Sequence, residues 1–166
     1  MLRKCGKLGV GVSLLSICVL LLMFPGKAFD QVTPVTAFVG TWNLSGMAGT
    51  PPSPFIAVMT FNLGGTTVEF DTSGTNSSAS PGQSISLGTW RQTGVRSNTF
   101  EEENFIYDGS GNLSQLAVTS ANLTLDPTPN SFSGNGSISF FSCSVSDCPG
   151  PLLFGPFPVQ LTGHRF

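Results

Sequence analysis

Phe55-Ile56-Ala57-Val58-Met59-Thr60-Phe61, then Asn62-Leu63-Gly64-Gly65, then Thr66-Thr67-Val68-Glu69-Phe70-Asp71 form one unbroken run. Phe55, Ala57, Met59 and Phe61 recur at every second position, the period of a strand with one buried face. The Asn-Leu-Gly-Gly segment supplies residues that tolerate tight turns. Thr66, Val68 and Phe70 then alternate with Thr67, Glu69 and Asp71. Strand, turn, strand is the pattern of a β-hairpin, and an all-β chain follows if its neighbours read the same way.

They do. Upstream, Phe38, Gly40, Trp42 and Leu44 share one face of a first strand, and Pro51-Pro52-Ser53-Pro54 makes a stiff connection. Downstream, 72–84 is a Ser/Gly/Asn-rich loop, and Ile85–Thr93 and Arg96–Tyr107 form the next pair of strands. Asp108-Gly109-Ser110-Gly111 turns the chain into a long strand from Leu113 to Leu125. There the apolar parity changes, with Leu116 and Val118 on even positions and Ala121, Leu123 and Leu125 on odd ones, which predicts a β-bulge near Thr119 or Ser120. Asp126-Pro127-Thr128-Pro129 precedes a strand with Phe132, Gly134, Gly136, Ile138 and Phe140 on one face, and Phe157, Val159, Leu161 and Gly163 mark the last. Eight short strands with no convincing helix give an antiparallel meander. Closing it into a barrel removes both sheet edges, and an open β-sandwich is the alternative.

Composition agrees. Of 166 residues, 10% are charged and 40% hydrophobic, with 20 Gly and 12 Pro; this excludes a coiled coil, a helical bundle and a disordered chain. Arg3, Lys4 and Lys7 precede an uncharged apolar run, Leu8–Phe24, and Gly26 and Ala28 provide small residues at the −3 and −1 positions of a cleavage site. Residues 1–28 therefore read as a signal peptide, 29–37 as a linker and 38–166 as one domain. The run is short for a membrane span, so the mature protein is expected to be exported to the periplasm, envelope or medium with no stable membrane anchor. Whether the signal is instead retained stays open. From residue 29 onward three cations (Arg91, Arg96 and Arg165) face all nine acidic residues, leaving −6. Such a charge repels nucleic acid.

Cys5 and Cys18 fall within the signal, so the domain keeps Cys143 and Cys148, which in an oxidising compartment predict a disulfide rather than a metal site with His164. Asn-x-Ser/Thr sequons at Asn43, Asn76, Asn112, Asn122 and Asn135 read as a consequence of composition. Gly40-Thr41-Trp42 recurs as Gly88-Thr89-Trp90, each copy leading to an aromatic and a Gly-rich turn, Phe61 to Gly65 and Tyr107 to Gly111, which suggests two related halves.

The Gly-x-Trp of the first strand, within a meander of this length, resembles the calycin group of lipocalins, fatty-acid-binding proteins and avidins. The resemblance implies that Trp42 closes the barrel base and that a basic residue of a late strand, Arg165, packs across it as a cation–π contact. The chain lacks the C-terminal helix of lipocalins. The repeated Gly-Thr-Trp and the Thr-Gly-x-Arg ending are more similar to small exported bacterial proteins of no assigned activity.

Chemistry-bearing residues are few. His164 is the lone histidine, and no nucleophile-elbow sequence accompanies it, so no catalytic residue, metal set or cofactor is assigned. Glu101-Glu102-Glu103 is the densest charge; solvated carboxylates at a strand end are the plain interpretation. A carboxylate turned into the barrel would have a raised pKa and could orient a ligand. The expected ligand-binding residues are Phe55, Met59, Phe70, Glu102, Phe105, Tyr107, Phe132 and Phe140, with Trp42, Trp90 and Arg165 structural. The leading function is carriage of a small apolar ligand in the barrel. An envelope interaction module acting on an unidentified protein through loops 72–84 and 143–148 is the alternative. A cofactor-free cyclase or isomerase, by analogy with allene oxide cyclases and dirigent proteins, comes last.

Overall fold

The computed structural model describes residues 37–71 and 82–166. The expected signal peptide with Cys5 and Cys18, nearly all of the linker, and positions 72–81 with Asn76 lie outside the described residues. The described chain is an eight-stranded antiparallel barrel: β1 (Gly40–Ala48), β2 (Ser53–Phe61), β3 (Thr66–Asp71), β4 (Ser86–Gln92), β5 (Ser97–Tyr107), β6 (Leu113–Leu125), β7 (Ser131–Ser142) and β8 (Leu152–Arg165). Each strand pairs with the next, and β8 returns to β1, so the meander closes and no sheet edge remains. The open sandwich is excluded.

One end is sealed by aromatic packing. Trp42, Phe61, Trp90, Phe100 and Phe132 point inward at that end and are buried. Phe38, just before β1 rather than on it, plugs their centre, with ring centroids 5.9–6.4 Å from Phe132, Phe61, Trp42 and Trp90. Burying such a ring contributes about 1.5–3 kcal/mol. The plug is held by polar contacts: Trp42 Nε1 donates to the Phe38 carbonyl at 2.8 Å, and Arg165 donates to the carbonyls of Val39 at 2.9 Å and Ala37 at 2.6 Å. Arg165 is the register partner of Trp42 across β1 and β8, and its guanidinium carbon lies 4.3 Å from the indole centroid.

Two glycines admit large inward rings. A Cβ at Gly163 would come within 2.3 Å of its cross-strand partner Phe132, and one at Gly46 within 2.7 Å of Phe55. In each case the ring covers a bare stretch of backbone.

Two sequence expectations are corrected. The β5–β6 register runs unbroken past Glu102↔Thr119 and Glu101↔Ser120 and shifts only between Ile106 and Tyr107, so there is no bulge at 119–120. Ala117, Thr119, Ala121, Leu123 and Leu125 keep one inward phase. Leu116 belongs to the outer side yet is buried, flanked in register by the aromatic residues Phe105 and Phe141, and this outer burial produces the apparent change of parity. The Gly-Thr-Trp echo is not a structural repeat. β1 and β4 run in opposite senses, so Trp42 near the start of one and Trp90 near the end of the other share the sealed end, while Phe61 and Tyr107 fall at opposite ends of the barrel.

Candidate functional site

The other half of the barrel is built differently, beginning with the hairpin between β2 and β3. Asn62 N–H donates to the Thr66 carbonyl at 2.9 Å, closing a three-residue loop in which Gly65 has a φ of 82°. That loop length pairs Phe61 with Thr67, Met59 with Glu69 and Ala57 with Asp71. Paired residues of an antiparallel ladder share a face. Because Ala57, Met59 and Phe61 are buried, Thr67, Glu69 and Asp71 must turn inward with them, and Val68 and Phe70 must face out. Phe70 is accordingly 58% exposed.

β5 supplies the next carboxyl. Trp90 pairs with Phe100, fixing Asn98, Phe100 and Glu102 on the inner face and Glu101 and Glu103 outside. Between Glu69 and Glu102, β4 offers the barrel only Ser86 and Gly88. A Cβ at Gly88 would stand 2.5 Å from the Glu102 Cβ and 2.2 Å from the Glu101 carbonyl, so the strands can approach this closely only at glycine. Across that low stretch of wall the carboxyls of Glu69 and Glu102 share a hydrogen bond.

Both carboxyls are held above their ordinary range. Burial is the main cause, raising Glu69 to about 7 and Glu102 to about 10. The negative charge of Asp71 raises both further; the interaction with Glu69 also raises Glu102, whereas the hydrogen bond from Glu102 holds Glu69 down. The two groups therefore titrate as a pair, releasing one proton near neutrality and holding the other into the alkaline range. Asp71 accepts a 2.6 Å hydrogen bond from Gln83 Nε2, and Asn104 donates to Gln83 Oε1 at 3.3 Å. Gln83 itself is tied to β5 by a bridge to Ile106, so residues 82–84, expected as loop, lie along the barrel wall.

These acids line one side of a cavity of about 240 Å³ toward the open end. Phe100 lines it from the sealed side, and Phe55, Ile138, Phe140, Phe157, Val159 and Leu161 furnish an apolar wall. Phe140, Phe154 and Phe157 cluster with centroids 5.0–6.4 Å apart. Glu102 is 4% exposed, and its Oε2 has no hydrogen-bond partner.

Of the ligand-binding residues expected from sequence, Phe55, Glu102 and Phe140 meet in this cavity. Met59 and Phe132 are consumed by the sealed core. Phe70 and Phe105 stand on the outer surface, and Tyr107 is half-buried at the far end of β5, beyond the register shift. Phe105 could not join Glu102, because residues an odd number apart on a regular strand face opposite ways. Sequence reasoning missed Glu69, Asp71, Phe100 and Phe157. The signal for the two acids lay in the hairpin: a three-residue loop between two strands fixes which β3 face follows Met59 inward.

Cys143 and Cys148 form a disulfide at the open end, with Cα atoms 4.5 Å apart. His164 is exposed. A larger depression of about 530 Å³ lies open on the outer surface among Ser45, Ser133, Asn135, Gln160 and Thr162. Those polar residues outside, with Trp, Phe, Leu and Met inside, reverse the arrangement of a membrane-spanning barrel, although Ile56, Val58, Val68, Phe70 and Leu87 are exposed on the β2–β4 side. Among the described residues no helix is long and apolar enough to cross a membrane, and no cluster of His, Cys, Asp and Glu has metal-holding geometry.

Comparison with protein-family models, curated proteins and solved structures returns no match. The closed eight-stranded meander is compatible with a calycin-like fold.

Proposed function

We propose that this is an exported, calycin-like carrier that holds one small, largely apolar molecule in the open half of its barrel. The observation that carries the reading is the division of the interior: an aromatic plug seals one half, and the other keeps a cavity of about 240 Å³ with an apolar wall facing Glu69, Asp71 and Glu102. That volume lies below the roughly 300–1,000 Å³ of drug-sized sites, which favours a single-ring molecule over a long acyl chain. A fatty acid is further disfavoured because its carboxylate would add to the three acids. The disulfide Cys143–Cys148 supports an oxidising compartment.

The protonated carboxyl of the Glu69–Glu102 pair is placed to orient a polar group of the ligand. The test is a titration of the ¹⁵N-labelled protein with 2-phenylethylamine, 2-phenylethanol and phenylacetate. Saturable 1:1 shifts at Phe55, Phe140, Phe157 and Val159 with at least one of them are expected. No saturable shift with any of the three, or shifts confined to the outer side of β2–β4, would overturn the carrier reading.

A further inference from the structure

We propose that the cavity selects a small organic cation, a protonated amine on an apolar body of about one aromatic ring. The inference deepens the carrier reading and rests on it. Its basis is the asymmetry of charge around the space. From β3, Glu69 and Asp71 face the cavity, and from β5, Glu102 does. The other strands bring no titratable group: Phe55 from β2, Ser86 and Gly88 on the inner face of β4, Thr119 from β6, Ile138 and Phe140 from β7, and Phe157, Val159 and Leu161 from β8.

The domain's cations are placed elsewhere. Arg165 lies over Trp42 at the sealed end, Arg96 donates to the Leu125 carbonyl at that same end, and Arg91 is exposed beside Trp90. Segment 72–81 contains no charged residue at all. Glu69 and Glu102 therefore have no cationic side chain facing them among the described residues of the cavity.

Burying carboxyls beside one another costs free energy unless a partner arrives. One Glu102 oxygen, almost wholly enclosed, has no hydrogen-bond partner at all. An ammonium group has three donors and a charge of the required sign, and would convert the proton-sharing pair into an ionised, hydrogen-bonded one. The aromatic wall suits the rest of such a molecule: Phe55, Phe140 and Phe157 line the cavity, and aromatic rings pack against an apolar body and attract a cation. A bare metal ion would leave that wall without a partner, and the acids do not form a metal-holding group.

The pair also sets a pH dependence. Glu69 gives up its proton near neutrality whereas a simple primary amine keeps its own, so the ion pair forms as pH rises.

The test compares 2-phenylethylamine with its neutral isostere 2-phenylethanol and with phenylacetate by isothermal titration calorimetry on the folded protein. At about pH 8 the amine should bind about tenfold or more tighter than the alcohol, the range expected for a hydrogen bond to a charged group, and phenylacetate should bind weakest. Amine affinity should rise about tenfold or more from about pH 5.5 to about pH 8, with the alcohol unchanged. Glu69→Gln combined with Asp71→Asn should bring the amine to the level of the alcohol. Equal binding of amine and alcohol, or a flat pH profile, would overturn the cation proposal and leave the carrier reading standing. Absence of binding by all three would remove the carrier reading itself. The wild-type pH profile decides the matter even if the double variant does not fold.

Discussion

Glu69 and Glu102 hydrogen-bond to each other inside the barrel across β4, where Ser86 and Gly88 leave the wall low. Both carboxyls are raised by burial, and this fixes how stability must vary with pH. A carboxyl that keeps its proton in the folded state, while the unfolded chain loses it at about 4.5, favours folding below that value. The contribution is lost as pH rises toward and through the folded-state values of about 7 and about 10. Urea midpoints should therefore fall between about pH 5 and pH 8, by about 2 kcal/mol or more in stability. Glu102→Gln should flatten that slope and raise stability at pH 8. A midpoint that climbs over this interval would count against a buried pair.

The sealed end makes a separate prediction. Arg165 stacks on Trp42 and holds the carbonyls of Ala37 and Val39, so one side chain fastens both β8 and the strap bearing Phe38. Arg165→Ala should cost about 2–4 kcal/mol, from a cation–π contact of about 0.5–2 kcal/mol and hydrogen bonds from a charged group. Arg165→Lys should recover only part, since one ammonium cannot reproduce the guanidinium fork. A double-mutant cycle with Trp42→Phe isolates the ring contact, with a coupling of about 0.5 kcal/mol or more expected. Additive effects would mean that Arg165 acts through its carbonyl bonds alone.

Gly163 offers a third. Its Cβ would enter the Phe132 ring, so Gly163→Ala should destabilise by about 1–3 kcal/mol through overpacking. Phe132→Leu should lessen the penalty when combined with it, because the obstructing ring is gone. Measured by chemical unfolding, a penalty unaffected by Phe132→Leu would place the strain in the backbone instead.

The legible and illegible parts of this fold differ in kind. Alternation and turn residues report a strand's existence, and a closing meander makes the first and last strands neighbours, so the pairing of Trp42 with Arg165 could be reasoned from sequence. Which face of a strand turns inward is another matter when that strand is apolar on one side and acidic on the other. For β3 the hydrophobic rule selects Val68 and Phe70, whereas the register set by the three-residue loop at Leu63–Gly65 selects Thr67, Glu69 and Asp71. Register prevails because Ala57, Met59 and Phe61 fix their partners' side, and reversing it would expose those three or break the ladder. The false bulge has a related origin: Leu116 is buried outside the barrel, and apolar parity cannot tell outer burial from inner. Glu102 was identifiable as a candidate from its place in a carboxylate run, but its partner lies on another strand and needed the register.

The most direct test of the account is a side-chain carboxyl NMR titration of ¹³C-labelled protein, assigned through Glu69→Gln and Glu102→Gln. One carboxyl of the pair should titrate near neutrality and the other well into the alkaline range, each shifting when its partner is replaced. Two independent titrations near 4.5, like those of solvated glutamates, would contradict it.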